Sequence, residues 1–473
     1  MFLGVDLGTS AVKAVLLDAA GGLAAQASAP LAVSRPQPRW SEQDPEDWWR
    51  AATLAVLALP EALRARVMAV GLSGQMHGAV LLDGQDRVLR PAILWNDGRA
   101  AAECAALNAA ARRIAGNRAM PGFTAPKLLW ARAREPGVFA ATRRVLLPKD
   151  WLRLRLTGEA VSEMSDAAGT LWLDVAARDW SEEMLALTGL SRAAMPRLVE
   201  GSAVSARVTA EDWGIPRGVP VAGGAGDNAA GAVGLGCVTP GEAFVSLGTS
   251  GVIFVADATP RPDPARTVHA FCHALPGLWH RMAVILSAGG ALAWAATVLG
   301  AEEAVLAAEA EAAAPSRVLF LPYLAGERTP HDDAAACGTW FGLEAGTTRG
   351  QMARAVMQGV AFALADGLAA LEAEGGRIPR LSLIGGGARS TLWARLLAAA
   401  LDRPLDLVAD PGVGPALGAA RLAMIAAGAE VRAVCTRPPV TGEVLPEPAL
   451  AEGRDAWRRL YPLLRPLMQE TAR

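Results

Sequence analysis

The sequence is short of cysteine and tyrosine and has no excess of charge of either sign. Its five cysteines, at positions 104, 237, 272, 337 and 435, are odd in number, widely separated and without CxxC spacing. This pattern indicates neither a disulfide framework nor a zinc site, and the expected compartment is a reducing cytoplasm. A net charge of −2 argues against a polyelectrolyte partner, so we expect no nucleic-acid partner.

No basic and apolar leader sequence with a cleavage site is visible, because the chain enters a predicted strand at once. Residues 282–301 carry no charge and have the length of a membrane span. The run divides at Ser287-Ala288-Gly289-Gly290 into a strand-like and a helix-like segment, and glycine pairs mark turns. We therefore predict a buried strand, turn and helix and expect no membrane contact. Free N–H groups at the start of that helix could meet phosphate or nucleotide.

The length and composition predict two soluble globular domains. Apolar residues make up 52% of the 473 residues and charged residues 19%, and the chain is too long for one ordinary core. The proline-rich segment 210–224 has the clearest loop composition in the middle of the chain. We place the boundary shortly after it, which gives domains 1–238 and 239–473.

A short motif occurs in both halves. Val5-Asp6-Leu7-Gly8-Thr9-Ser10-Ala11-Val12-Lys13 has a counterpart in Val245-Ser246-Leu247-Gly248-Thr249-Ser250-Gly251-Val252. Each predicts a β-hairpin with a Gly-Thr-Ser turn, which can offer backbone N–H groups and two hydroxyls to phosphate oxygens. One copy is typical of a plain hairpin. Two copies at matching places predict duplicated domains that hold a nucleotide between them.

Other segments continue an alternation of strands and helices. Asp44 before Pro45-Glu46-Asp47 predicts a helix start. The strand at 67–72 ends in the polar, glycine-flanked loop 73–78, the kind of position where α/β proteins place ligand groups. In the second half we predict a long helix near 350–373 and a closing helix near 414–427.

Asp227 is the strongest candidate for a catalytic residue in the sequence. It stands alone among small residues in the segment 223–232, after a short strand and before a predicted helix. One interpretation is an N-cap of that helix. The other, which we favour, is a general base that accepts a hydroxyl proton during phosphoryl transfer.

With these motifs the chain resembles a family of carbohydrate kinases that includes xylulose, glycerol, gluconate and ribulose kinases. The segments that carry the resemblance are VDLGTSAVKAVLLD (5–18), WSEQDPEDWW (40–49), GLSGQMHGAVLLD (71–83), ILWNDGRA (93–100), PGFTAPKLLW (121–130), MSDAAGTLWLD (164–174), GAGDNAAGAVG (224–234), SLGTSG (246–251), FLPYLAGERTPH (320–331), IGGGARSTLW (384–393) and GPALGAARLA (414–423). They span nearly the whole chain in order. GQMHG is the segment typical of the xylulokinase branch.

The resemblance implies an α/β fold of two duplicated actin-like ATPase (ribonuclease H-like) domains with a cleft between them. The first would bind sugar and phosphate and the second nucleotide. The implied activity is ATP-dependent phosphorylation of D-xylulose to D-xylulose 5-phosphate, with Asp227 as the base for the C5 hydroxyl. The implied cofactors are ATP and Mg²⁺, and a homodimer is possible.

The resemblance also assigns residues to each ligand. Asp6 would hold Mg²⁺ through water, and Met76, His77, Asp227 and Asn228 would bind the sugar. The nucleotide and its phosphates would lie against Thr9, Ser10, Lys13, Gly248, Thr249, Gly289, Gly386 and Gly387. Adenine contacts at Arg389 and Thr391 stay open, because glycerol kinases carry Asn where this chain has Thr391. GERTPH (326–331) receives no role.

Several alternatives remain from the residues alone. Asp6, Lys13, His77 and the 385–387 glycines could be structural, and Asp97 and Arg99 could form an ion pair or line the cleft. The chain could also be a non-catalytic sensor, an actin-like chaperone or filament ATPase, or a kinase for another ketose, pentitol or related polyol.

Overall fold

The computed structural model describes residues 1–409 and 414–471. Its strands in the first half are β1 (Phe2–Leu7), β2 (Ala11–Leu17), β3 (Leu23–Pro30), β4 (Glu42–Gln43), β5 (Ala69–Gly74), β6 (Val80–Leu82), β7 (Ala92–Ile93), β8 (Arg144–Leu146), β9 (Val161–Glu163), β10 (Leu173–Asp174), β11 (Asp179–Trp180), β12 (Arg197–Val199), β13 (Val204–Arg207), β14 (Pro220–Ala222) and β15 (Ala225–Gly226). Those in the second half are β16 (Ala243–Leu247), β17 (Gly251–Asp257), β18 (His269–Cys272), β19 (Trp279–Ile285), β20 (Leu319–Leu321), β21 (Thr339–Phe341), β22 (Leu381–Ile384), β23 (Leu405–Val408) and β24 (Val440–Val444).

Helices cover the faces of the sheets. In the first half they are α1 (Pro45–Leu57), α2 (Glu61–Arg64), α3 (Cys104–Ile114), α4 (Thr124–Arg134), α5 (Pro136–Ala141), α6 (Pro148–Thr157), α7 (Met164–Ala168), α8 (Glu182–Thr188) and α9 (Asp227–Gly234). In the second half they are α10 (Gly289–Val298), α11 (Glu303–Ala312), α12 (Arg349–Gly375), α13 (Thr391–Leu401), α14 (Pro415–Ala426), α15 (Val431–Val434) and α16 (Arg454–Thr471). Short 3₁₀ turns occur at Arg192–Ala194, Gly386–Arg389 and Pro448–Ala451.

The two halves repeat one sheet topology. The first sheet has the order β13-β14-β5-β1-β2-β3, and the second has the order β18-β19-β17-β16-β22-β23-β24. In each, an antiparallel hairpin (β1/β2 or β16/β17) is extended on one side by an antiparallel strand and on the other by two parallel strands. A further antiparallel strand, β13 or β24, closes that second side. The predicted duplication of α/β domains is confirmed.

Both Gly-Thr-Ser turns connect the predicted hairpins. The first turn follows the pairing of Leu7 with Val12, and the second lies between Leu247 and Gly251. The helix start predicted at Asp44 is also confirmed, because its side chain accepts a hydrogen bond from the N–H of Glu46 as the N-cap of α1. The strand predicted at 67–72 lies two residues further on, at Ala69–Gly74.

The apolar run 282–301 is divided as predicted. Strand β19 ends at Ile285 and α10 begins at Gly289. Among the described helices, α12 is long and apolar enough to cross a membrane by length and composition alone. However, 78% of its most apolar stretch is buried inside the protein, as in the core helix of a globular domain.

Helix α14 is not the closing helix that the sequence predicted, because α15, β24 and α16 follow it. It belongs to the second half of the chain yet packs against β1 and β5 of the first sheet. Glycines permit this close approach: a Cβ on Gly4 would lie 2.1 Å from the carbonyl oxygen of Ala416, and one on Gly71 would lie 1.8 Å from that of Ala419. The same helix contacts α9 through Gly418, where a Cβ would lie 1.8 Å from the carbonyl oxygen of Ala230. Helices α9 and α14 therefore join the two halves.

Candidate active site

A cavity of about 270 Å³ lies between the two halves, and it gathers all four residues predicted to bind sugar. The first half lines it with Met76, His77, Trp95, Met120, Gly122, Phe123, Asp227 and Asn228. The second half lines it with Ser246, Gly248, Ser250, Val252, His269, Phe271, Met282, Val284 and Arg328.

A second, larger cavity of about 850 Å³ lies within the second half. It is lined by the predicted nucleotide residues Gly248, Thr249, Gly289, Gly386 and Gly387, together with Arg389 and Thr391. Gly248 borders both cavities. The turn after β16 is thus the point at which a ligand in one cavity would meet a ligand in the other.

His77 is held in one orientation by its surroundings. Its backbone has a φ of 68°, an uncommon conformation for a non-glycine residue. The carbonyl oxygen of His77 accepts hydrogen bonds from Lys127 Nζ at 2.8 Å and Thr124 Oγ1 at 3.1 Å, which fix the backbone. Its Nδ1 lies 2.6 Å from the carbonyl oxygen of Gly169 and must donate to it. Burial lowers the pKa of His77 to about 3, so the ring is neutral and Nε2 is an acceptor.

Met76 connects the loop of His77 to the loop that carries Asp227. The side chain of Met76 is 5% exposed, and a Cβ on Gly226 would lie 2.9 Å from its Cγ. The N–H of Gly226 donates to Ser165 Oγ at 3.1 Å, and Ser165 in turn donates to the carboxylate of Glu163. Glycine at 226 therefore allows the two loops to pack in contact and places Asp227 beside Met76.

Asp227 is the first residue of α9, and Gly226 occupies the N-cap position without a side-chain cap. Its Oδ1 accepts hydrogen bonds from the backbone N–H of Asn228 at 2.7 Å and from Asn228 Nδ2 at 2.8 Å. Oδ2 accepts no hydrogen bond from any residue in the described part of the chain, and the residue faces the cavity. Burial raises the pKa of Asp227 to about 6, and the bonds from Asn228 oppose that rise. The carboxylate is ionised at neutral pH with one oxygen free to accept a proton.

Asp6 lies on β1 opposite Lys13 on β2 and opposite Ser73 on β5. Its Oδ1 is fully buried and has no hydrogen-bond partner among the described residues. Burial and, second to it, the negative charge of Asp227 raise the pKa of Asp6 to about 7. The two carboxylates therefore lie close enough to repel one another, an arrangement that a cation would stabilise.

Thr9 of the first Gly-Thr-Ser turn contacts Trp95, which lines the smaller cavity, but its hydroxyl is already in use. Thr9 Oγ1 donates to Gln75 Oε1 at 3.0 Å and accepts from Trp95 Nε1 at 3.0 Å. Any contact of Thr9 with phosphate is left to its backbone N–H. Ser10 is exposed and Lys13 half-buried, so both side chains can reach a ligand.

The second turn packs directly on the start of α10. The N–H groups of Ala288 and Gly289 donate to the carbonyl oxygens of Thr249 and Gly248 at 2.8 and 2.7 Å. Gly290 N–H also donates to the Thr249 carbonyl, at 3.0 Å. The prediction that these N–H groups are free for phosphate is wrong, because the hairpin turn satisfies them. Gly289 still lines the larger cavity.

Asp97 and Arg99 form the structural ion pair that was one of the two predicted alternatives. Arg99 donates to both carboxylate oxygens of Asp97, at 2.9 and 2.7 Å, and both side chains are about 1% exposed. The guanidinium also lies 3.6 Å from the ring centroid of Trp40. Neither residue lines the cavity, whereas Trp95, two positions before Asp97, does.

Two features were missed by sequence reasoning. One is Arg328 of the GERTPH segment, which lines the smaller cavity. The other is a fully buried group of charges below Asp227, in which Lys149 Nζ lies 2.8 Å from Asp150, 3.6 Å from Glu163 and 3.5 Å from Asp166. Only Asp166 of this group lies in the MSDAAGTLWLD motif, and the sequence does not show that it is buried with the other three.

Comparison with known proteins identifies the architecture. The model of the FGGY family of carbohydrate kinases, N-terminal domain, matches residues 1–234, and that of the C-terminal domain matches residues 243–427. The chain belongs to the FGGY family of carbohydrate kinases. Its two domains have the actin-like ATPase fold that the resemblance implied.

Relatives within the FGGY family match this chain over nearly its whole length. The chain is 51% identical over 484 residues to a xylulose kinase from Escherichia coli (strain K12), covering 99% of this chain and 100% of the relative. The crystal structure of a xyloylose kinase from Brucella ovis superposes with a TM-score of 0.93 at 51% identity, over 98% of this chain and 99% of that one. A xylulose kinase from Rhodospirillum rubrum has a TM-score of 0.90 at 33% identity, over 99% of both chains.

Proposed function

We propose that the protein transfers the γ-phosphoryl group of ATP to the C5 hydroxyl of D-xylulose. The observation that carries the proposal is the joined pair of cavities: Asp227 faces the smaller one, the glycine turns of the second half line the larger one, and Gly248 borders both. The 51% identity to a xylulose kinase over nearly the whole chain supports the choice of sugar.

In the proposed reaction Asp227 Oδ2 accepts the proton of the C5 hydroxyl as that oxygen forms a bond to the γ-phosphorus. The bond from the γ-phosphorus to the bridging oxygen breaks, and ADP leaves with the electron pair. Asn228 holds Oδ1 of the base through its two hydrogen bonds, so Oδ2 is the oxygen presented to the sugar. His77 Nε2 accepts from a sugar hydroxyl, and Met76 packs against the chain of the sugar. Positioning of this kind is the main source of catalysis in phosphoryl transfer.

The nucleotide would lie in the larger cavity, with its phosphates between the two Gly-Thr-Ser turns. We propose that Gly248 and Thr249 contact these phosphates from the second domain, and that Thr9, Ser10 and Lys13 contact them from the first. Gly289, Gly386 and Gly387 would leave room for the ribose and base. This arrangement divides the chain into the proposed domains 1–238 and 239–473.

The residues present fit a magnesium ion bound mostly through water and phosphate. Asp6 offers a buried carboxylate oxygen without a partner, and its charge is close to that of Asp227. No group of three or more His, Cys, Asp or Glu residues in the described part of the chain could hold a metal alone. Mg²⁺ commonly binds through one or two carboxylates plus substrate phosphates and neutralises phosphate charge when bound.

The proposal is tested by Asp227→Asn. The amide keeps the shape of the side chain but cannot accept the proton, so kcat should fall on the order of a hundredfold to ten-thousandfold. Xylulose binding and the melting temperature should be retained. Turnover within about threefold of the parent would refute the assignment. Side-by-side rates with xylulose, ribulose, xylitol, glycerol and gluconate test the sugar, and a kinase for another ketose or polyol would show a different preference.

We propose a cytoplasmic protein that acts on small molecules without a nucleic-acid or membrane partner, and a homodimer is possible. The described cysteines are all free, and four of the five are buried, which is compatible with a reducing compartment. Light scattering of the purified protein tests the dimer.

A further inference from the structure

Arg328 reaches the sugar cavity from the loop between β20 and β21. The backbone of this loop is fixed at two points. Glu327 Oε1 accepts hydrogen bonds from the N–H groups of Leu286 and Arg328, and the N–H of Thr329 donates to the carbonyl oxygen of Val284 at 3.0 Å. The second half of the chain therefore places a cation at a set position opposite the residues that the first half contributes.

The guanidinium of Arg328 has no protein partner in the part of the chain that the structure describes. No carboxylate lies within ion-pair distance, and the side chain donates no hydrogen bond. By contrast, the guanidinium of Arg99 donates to Asp97, and that of Arg281 donates to Asp257 at 2.7 Å. Arg328 is half-buried and lines the cavity, so its unpaired guanidinium can bind an anionic group that a ligand brings.

The acidic neighbours of Arg328 in the same loop do not supply that acceptor. Burial raises the pKa of Glu327 to about 8, so this carboxyl group is mostly protonated at neutral pH. Asp332 is paired with Arg118, at 2.6 Å. The positive charge of Arg328 acts on His77, another residue that lines the cavity, and contributes to lowering its pKa.

We propose that Arg328 binds the phosphoryl group as it reaches the sugar and then holds the phosphate of the sugar 5-phosphate product. The proposal rests on the proposed function. Asp6 and Asp227 are both acidic, so a phosphoryl group that arrives between them needs a cation on the sugar side. A guanidinium presents several N–H donors in a planar fork that matches phosphate oxygens, and the transferred group carries its charge on such oxygens.

The test compares two ligands that differ only in the phosphate. Dissociation constants for D-xylulose and D-xylulose 5-phosphate are measured by titration calorimetry, without nucleotide, for the parent, Arg328→Gln, Arg328→Lys and the control Arg317→Gln. We expect Arg328→Gln to weaken binding of the sugar phosphate by about tenfold to a hundredfold, the range for a lost hydrogen-bonded charge, and binding of xylulose by less than about threefold. Arg328→Lys keeps the charge without the fork and should fall between the parent and Arg328→Gln.

Steady-state kinetics give a second readout. Because the contact forms only as the phosphoryl group transfers, Arg328→Gln should lower kcat and leave the KM for xylulose within about threefold. Arg317→Gln removes an exposed arginine of the second half that pairs with Glu344 outside the cavity, and it should leave both dissociation constants within about twofold. If Arg328→Gln does not fold, the same comparison is made with Arg328→Lys.

Other results would overturn the proposal. Equal weakening of xylulose and xylulose 5-phosphate would make Arg328 a ligand of sugar oxygens, and no change in either would make it structural. Failure of the proposed function is separate from both, because it would appear as absent xylulose-dependent ADP formation in the parent protein.

Discussion

The hydrogen bonds between Asn228 and Asp227 predict a shift in the pH dependence of the reaction. Both bonds end on Asp227 Oδ1, and both lower the pKa that burial raises to about 6. Asn228→Ala removes the side-chain bond and leaves the backbone bond. Loss of one hydrogen bond to a charged group should raise the pKa of Asp227 by about one unit, since one unit corresponds to about 1.4 kcal/mol.

The sign of the effect on activity follows from the role of the base. A general base works only when deprotonated, so activity is present above the pKa and is lost as the pH falls through it. The acid limb of kcat/KM for xylulose should lie near pH 6 in the parent. In Asn228→Ala it should lie near pH 7, and at pH 6 the ionised fraction of Asp227 should fall from about one half to about one tenth.

The measurement is kcat/KM for xylulose between about pH 5 and pH 9, with ATP and Mg²⁺ saturating and ADP release as the signal. His77→Ala is the matched control, because it removes a different proposed sugar contact and makes no hydrogen bond to Asp227. It should lower the plateau without moving the limb. A limb that stays in place in Asn228→Ala while the plateau falls would refute the assignment of Asp227 as the titrating base.

Three further predictions follow from the site and the fold. His77→Ala should raise the KM for xylulose by about fivefold to a hundredfold with a much smaller effect on ATP, and Lys13→Ala should do the opposite; equal damage to both KM values by His77→Ala would indicate a structural histidine. Gly418→Ala should destabilise the fold by about 1–3 kcal/mol or more in urea unfolding, because its Cβ would lie 1.8 Å from the carbonyl oxygen of Ala230. Gly231→Ala on the facing helix has no atom within 4 Å of the new Cβ and should be neutral or stabilising; an equal loss in both variants would contradict the packing argument. Xylulose and an unreactive ATP analogue should each tighten binding of the other by about 1–3 kcal/mol in titration calorimetry, and independent binding would argue against a site completed by domain closure.

Features fixed by neighbouring residues were predictable from the sequence. Both Gly-Thr-Ser hairpins, the Asp44 cap and the break of the apolar run at Gly289-Gly290 depend on short-range backbone preferences, and the structure confirms all of them. The isolation of Asp227 among small residues also predicted an accessible carboxylate, and the residue lines the cavity.

Features fixed by distant residues were not predictable. The N–H groups before α10 are satisfied by Gly248 and Thr249, about forty positions earlier in the chain, and no local signal indicates that pairing. The role of Arg328 depends on which carboxylates are already paired in the folded protein. Composition and spacing describe the elements of a fold, whereas such pairings are decided only when the elements pack.

The position of α14 limits how this protein can be divided. A fragment that ends at residue 238 would contain every strand of the first sheet but would lack α14. This helix covers Phe2 and Ala69 and packs its backbone against Gly4 and Gly71. The sheet of such a fragment would present an apolar, glycine-lined face to water, the kind of surface that favours aggregation. The first half is therefore not a self-sufficient folding unit, and gene fusions or split versions of the enzyme should keep residues 414–427 on the same chain as the first sheet.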